Sequence, residues 1–168
     1  MKIRRFIAFT VLSLTVFGLA HAQLLVLSDQ TRVEISPPSM IAHSGDMLLL
    51  KYDNGTIFHE VVDPKTMYTQ IDLTGLERSF IRSLFDTAER QKLPAWLAAL
   101  SAEQADQLGV GRGKVISDKL GDRELLGVHD PDKKVAHLYL FETLKTHHLI
   151  VKGDDVLLRE IIRELGGH

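Results

Sequence analysis

The 168-residue chain contains no cysteine. Disulfides, thiol nucleophiles, thiolate zinc sites and iron–sulfur clusters are thereby excluded, and the fold must rest on its hydrophobic core. Basic runs are also missing, none being longer than a pair such as Lys133-Lys134. Nucleic acid and anionic membrane surfaces need a larger basic footprint. There is no G-x-S-x-G nucleophile elbow, no internal repeat and no low-complexity segment. The apolar run from Phe6 to Leu19 has about 14 residues, short of the roughly 20 that span a bilayer.

That run follows Lys2, Arg4 and Arg5 and precedes Ala20-His21-Ala22, the three parts of a secretory signal peptide, predicting cleavage after Ala22. Arg4-Arg5-Phe6-Ile7 partly matches a twin-arginine signal, but the very apolar core fits general secretion better. The expected product is a periplasmic protein with no membrane insertion after cleavage. Removing Lys2, Arg4 and Arg5 from the 20 basic residues leaves 17 against 22 acidic ones, a net charge of −5 that suits a cationic protein partner.

Residues 23–168 have the size of one domain. Extended stretches are predicted at Leu24 to Leu27 and Thr31 to Ser36, ended by Pro37-Pro38. Met47 to Tyr52 and Thr56 to Val62 flank Asp53-Asn54-Gly55, where Asn-Gly supplies the positive φ angles of a hairpin turn. The period then becomes helical: Leu76, Phe80, Ile81, Leu84 and Phe85 share a face behind a Thr74/Glu77 capping box. Pro94 opens a second helix burying Trp96, Leu97 and Leu100, and Ser101 with Gln104 restarts a helix that Gly109 ends. Val115 to Ser117, Glu124 to Val128, Val135 to Phe141 and His148 to Val151 read as strands, and Leu158, Ile161, Ile162 and Leu165 as the stripe of a last helix. This order predicts a single α+β domain: an antiparallel sheet covered by helices, with a helical insert at about 74–108 and a C-terminal helix at about 154–165.

The closing strand-strand-helix, Ala136 to Leu165, resembles in element order the end of the PsbP/Mog1-like sandwiches found in many small exported proteins. The helical insert departs from that pattern. The resemblance implies a binding or assembly role and assigns no residue.

The chemistry-bearing stretches have structural uses beside their functional ones. Gly109 to Lys114 lacks the spacing of a phosphate loop and reads as a connector. His59-Glu60 begins an H-E-x-x-H, but the fifth position is Asp63, and on a strand the two side chains face opposite sides, giving a solvated strand pair. His43-Ser44-Gly45-Asp46 reads as a turn, and His129-Asp130-Pro131-Asp132 as a hairpin turn without a full calcium ligand set. With a hairpin closed at Thr143 to Lys145, Phe141 lies opposite His147 and His137 opposite Val151, so His137 and His147 stand about 13 Å apart and cannot share an ion. His147 and His148 face opposite sides, and Asp154 or Asp155 suits a helix N-cap.

No cofactor and no metal set is expected. The leading expectation is a non-enzymatic protein that binds another envelope or secreted protein, as an assembly factor or inhibitor, with Trp96, Glu89 and Arg90 of the insert as contact residues. The competing expectations are a small envelope hydrolase built on His43, His59, His129 and Asp130, and a histidine-based metal carrier.

Overall fold

The computed structural model describes residues 23–68 and 71–166. The proposed signal peptide lies outside them. Strands β1 (Gln23–Val26) and β2 (Arg32–Ile35) form a two-stranded ribbon. Seven more strands, β3 (Met40–Ser44), β4 (Met47–Tyr52), β5 (Gly55–Val61), β6 (Lys114–Leu120), β7 (Arg123–Asp130), β8 (Val135–Phe141) and β9 (Thr146–Gly153), form an open antiparallel sheet in the order β3-β4-β5-β9-β8-β7-β6. Between β5 and β6 come helices α1 (Glu77–Phe85), α2 (Thr87–Gln91) and α3 (Ala95–Leu108), and α4 (Asp155–Gly166) closes the chain. The fold is a single α+β domain.

Alternation along the strands divides the sheet between two cores. Leu125, Leu138, Leu140, Leu149 and Val151 face α4 and the β1–β2 ribbon, packing with Leu157, Ile161, Val33 and Ile35. Their neighbours Leu126, Tyr139 and Phe141 face the insert, packing with Phe80, Ile81, Leu84 and Leu97. A sheet covered on both faces explains why β8 has little polar alternation.

The helix ends depart from the sequence reading. The Thr74/Glu77 capping box does not form: Thr74 donates its hydroxyl to Asp72 at 2.6 Å, and α1 starts after Leu76 without a side-chain cap. With Leu76 at the N-cap, Glu77 is the first helical residue and not the third, so the box cannot close. Nor does Ser101 restart a helix. Helix α3 runs through it, and its buried hydroxyl meets Ser83 at 2.7 Å and Arg90 Nε at 3.2 Å. Gly109 ends α3 at φ 87°, and Asp154 caps α4 by accepting from the Val156 and Leu157 amides at 3.1 and 3.0 Å.

The β4–β5 turn is Asp53-Asn54, with Tyr52 paired to Gly55, and neither turn residue has positive φ. The glycine at 55 serves contact instead. It pairs with Gly153, and a Cβ there would lie 2.3 Å from the Lys152 carbonyl oxygen.

Candidate functional site

The β8–β9 hairpin closes on the two residues Thr143-Leu144, with Glu142 N–H donating to the Lys145 carbonyl at 2.9 Å. The register is therefore one residue off the sequence expectation: Phe141 pairs with Thr146, His137 with Ile150, and Tyr139 with His148. A one-residue shift moves side chains between faces. It places His137 and His148 on the same face, beside Glu60, which β5 sets opposite His148.

On the insert-facing side these residues form a chain. His148 Nδ1 lies 2.9 Å from Glu60 Oε1, and His148 Nε2 lies 3.3 Å from His137 Nδ1. The two imidazoles are 5.5 Å apart at 15°, edge to edge given that nitrogen contact, while Tyr139 stacks flat on His148 at 4.4 Å and 6°. A carboxylate only accepts, so neutral His148 donates from Nδ1 and leaves Nε2 to accept from His137 Nδ1–H. Neutral His137 then keeps a bare Nε2. Burial, then the neighbouring His148 and Lys152, push His137 down to about 4, which keeps it neutral. The hydrogen bond from His148 outweighs burial at Glu60 and holds its carboxyl below the ordinary carboxylate range.

This chain lines a cleft of about 400 Å³ between the sheet and the C-terminal end of α3. Its walls add Asp46, Asp63, Tyr68 and Gln104. A larger hollow of about 530 Å³ beside α1 contains more arginine, but those groups are already engaged. Arg82 holds Glu124 at 2.7 Å, Arg123 holds Thr31 at 3.0 Å, and Arg78 donates to the Glu142 and Lys145 carbonyls.

The opposite face carries a second chain, sealed from solvent. His59 Nε2 lies 3.0 Å from His147 Nδ1, and His147 Nε2 lies 3.3 Å from Glu142 Oε2, off the line of a hydrogen bond and with no better partner. Glu142 also accepts from the Ser28 hydroxyl at 2.6 Å and from Thr31 Oγ1, so the β1–β2 turn is tied to the β8–β9 turn. Burial works to raise the Glu142 carboxyl, but hydrogen bonds from Ser28 and Thr31, with the nearby His147, hold it low. Burial, then His147, push His59 down to about 4 against the opposing pull of Glu60. His59 is thus buried, not half of a solvated strand pair. The expected opposite facing of His59 and Glu60, and of His147 and His148, is what builds one chain on each side of the sheet.

The other sequence candidates lie apart. His43 is exposed on β3, His59 is sealed on β5, and His129 with Asp130 ends β7, where His129 Nε2 comes within 3.6 Å of Asp155. Asp130 caps its own turn through the Asp132 and Lys133 amides, both at 3.1 Å. In the insert, Arg90 is a structural tie, donating to the Ser83 and Leu84 carbonyls at 3.0 and 3.1 Å, while Glu89 pairs with Lys92. Trp96, expected in the core, is 55 % exposed because α3 turns Leu97 inward instead. Among the described residues, no three His, Asp or Glu side chains converge as a metal site.

Sequence reasoning missed the cleft because one extra residue assigned to the Thr143 turn separated His137 from His148. The two-residue turn was the signal that could have found it.

No family model, curated protein or solved structure matches the chain.

Proposed function

We propose that this is a non-enzymatic periplasmic protein, exported by residues 1–22, that binds another envelope or secreted protein as an assembly factor or inhibitor. The observation that carries the reading is strand β3. It lies at the sheet edge, pairs only with β4 among the described residues, and exposes all five of its side chains. Met40 and Ile41 are 45 % and 56 % exposed. Edge strands are usually blunted by charge, and the opposite edge, β6, carries Lys114, Asp118 and Lys119. An edge without lysine, arginine or carboxylate, and with Met40 and Ile41 exposed, suits an added strand, in which main-chain hydrogen bonds supply affinity and alternate side chains specificity.

A photo-crosslinking residue at Ile41 should capture a discrete partner in periplasm, whereas one at Val115 on β6 should not. Equal labelling from both edges would sink the strand-addition reading.

A second reading, a small envelope hydrolase, draws on the chain behind His137. A Glu60–His148 pair that leaves His137 Nε2 bare is the wiring of a general base. It requires ester or amide turnover that His137→Gln abolishes, and turnover unchanged in that variant would remove it.

A further inference from the structure

The walls of the His137 cleft are complementary to one kind of group. Glu60, Asp46 and Asp63 bring three carboxylates, and neither lysine nor arginine lines the cleft. Lys152, on the same face, is set 5.1 Å over the Phe58 ring. The hydrogen-bond order fixed by Glu60 leaves the His137 Nε2 lone pair unused, and the second oxygen of Glu60 has no partner among the described residues.

Tyr139 forms one wall of the cleft and is only 7 % exposed, and its hydroxyl is not among the buried polar atoms left without a partner. Tyr68, in a T-shaped contact with Phe80, adds a second aromatic wall. Carboxylates and bare acceptors together recognise a cation with N–H donors.

We propose that the cleft is a receptor for a basic side chain, lysine or arginine, presented by the protein partner. Charge complementarity selects the occupant: the carboxylates neutralise it, Glu60 and His137 Nε2 accept its N–H groups, and the Tyr139 oxygen accepts one more. The assignment deepens the binding reading above and rests on it for the source of the side chain. Of its carboxylates only Asp46, in the β3–β4 turn, adjoins β3, whereas Glu60 belongs to β5, two strands away.

The test is a titration of the full mature chain, followed by histidine and tyrosine ring NMR signals, with blocked tripeptides Ala-Lys-Ala, Ala-Arg-Ala and Ala-Gln-Ala, and with free spermidine. The basic peptides should move the His137, His148 and Tyr139 signals. Glu60→Gln and Asp46→Asn should each weaken them about tenfold, the scale of one lost charge-assisted contact. Tyr139→Phe, which keeps the ring and the fold, should weaken binding by a smaller factor. Binding of Ala-Gln-Ala with equal affinity, no response to any peptide, or affinity unchanged in Glu60→Gln overturns the proposal. A response to spermidine alone overturns the protein source and assigns the cleft to a free amine. Partner capture at Ile41 that persists while all peptides fail would refute the cleft and leave the β3 reading standing.

Discussion

Acid should destabilise this protein well before its carboxylates protonate, because it keeps two histidines neutral in the fold. His59 and His137 ordinarily titrate near 6.5 and are each pushed down to about 4, chiefly by burial. A depressed histidine is bound by protons more readily in the unfolded chain. Stability is therefore full above 6.5 and is lost as pH falls from there toward 4. At about pH 5 the unfolded chain is protonated and the fold is not. With about 1.36 kcal/mol per pH unit over about 1.5 units, each histidine costs about 2 kcal/mol, and the two about 4 kcal/mol. That is a large part of the roughly 5–15 kcal/mol typical of a domain. Glu60 and Glu142, both held low, contribute stability that persists until the pH falls below their ordinary 4.5, so they steepen the loss only later. The assay is urea unfolding by far-ultraviolet circular dichroism at a series of pH values, since Trp96 is too exposed to report reliably on the core. His137→Gln should remove about half of the loss between about pH 7.5 and 5. A stability that stays flat across that interval, or an unchanged slope in the variant, would refute the reasoning.

Other perturbations separate the structural from the binding residues. Arg90→Ala should cost about 2 kcal/mol of unfolding free energy, because it strips donors from the Ser83 and Leu84 carbonyls and from Ser101, whereas Glu89→Ala should stay within about 0.5 kcal/mol. A partner lost only with Arg90→Ala would then reflect folding, which a thermal melt reveals. Gly55→Ala drives a Cβ into the Lys152 carbonyl and should destabilise by about 1–3 kcal/mol, read as a lower urea midpoint. His43→Pro on the outermost strand, at a position whose N–H faces away from β4, should leave the midpoint nearly unchanged while abolishing capture through Ile41.

Much of the fold was legible from periodicity. The helical stripe from Leu76 to Phe85, the β8 run and the Asp154 cap all follow local pattern, and their structural counterparts fall within a few residues. Strand β3 was not legible, because Met40 to Ser44 pack against nothing that would impose alternation and read as the approach to a turn. Both histidine chains were half legible. The opposite facing of adjacent strand residues follows from the pleat, but which residues meet across strands depends on register, and β5 reaches β9 only through a pairing some 90 residues distant in sequence. The tie from Ser28 and Thr31 to Glu142 likewise joins loops that no local pattern relates.

The most direct test of the cleft is the protonation of its rings. Long-range proton–nitrogen correlation near neutral pH should show His137 uncharged, with a proton on Nδ1 of both His137 and His148 and with His137 Nε2 bare. A cationic His137, or a proton on its Nε2, would contradict the Glu60–His148–His137 chain and with it the acceptor that the cleft presents to a basic side chain.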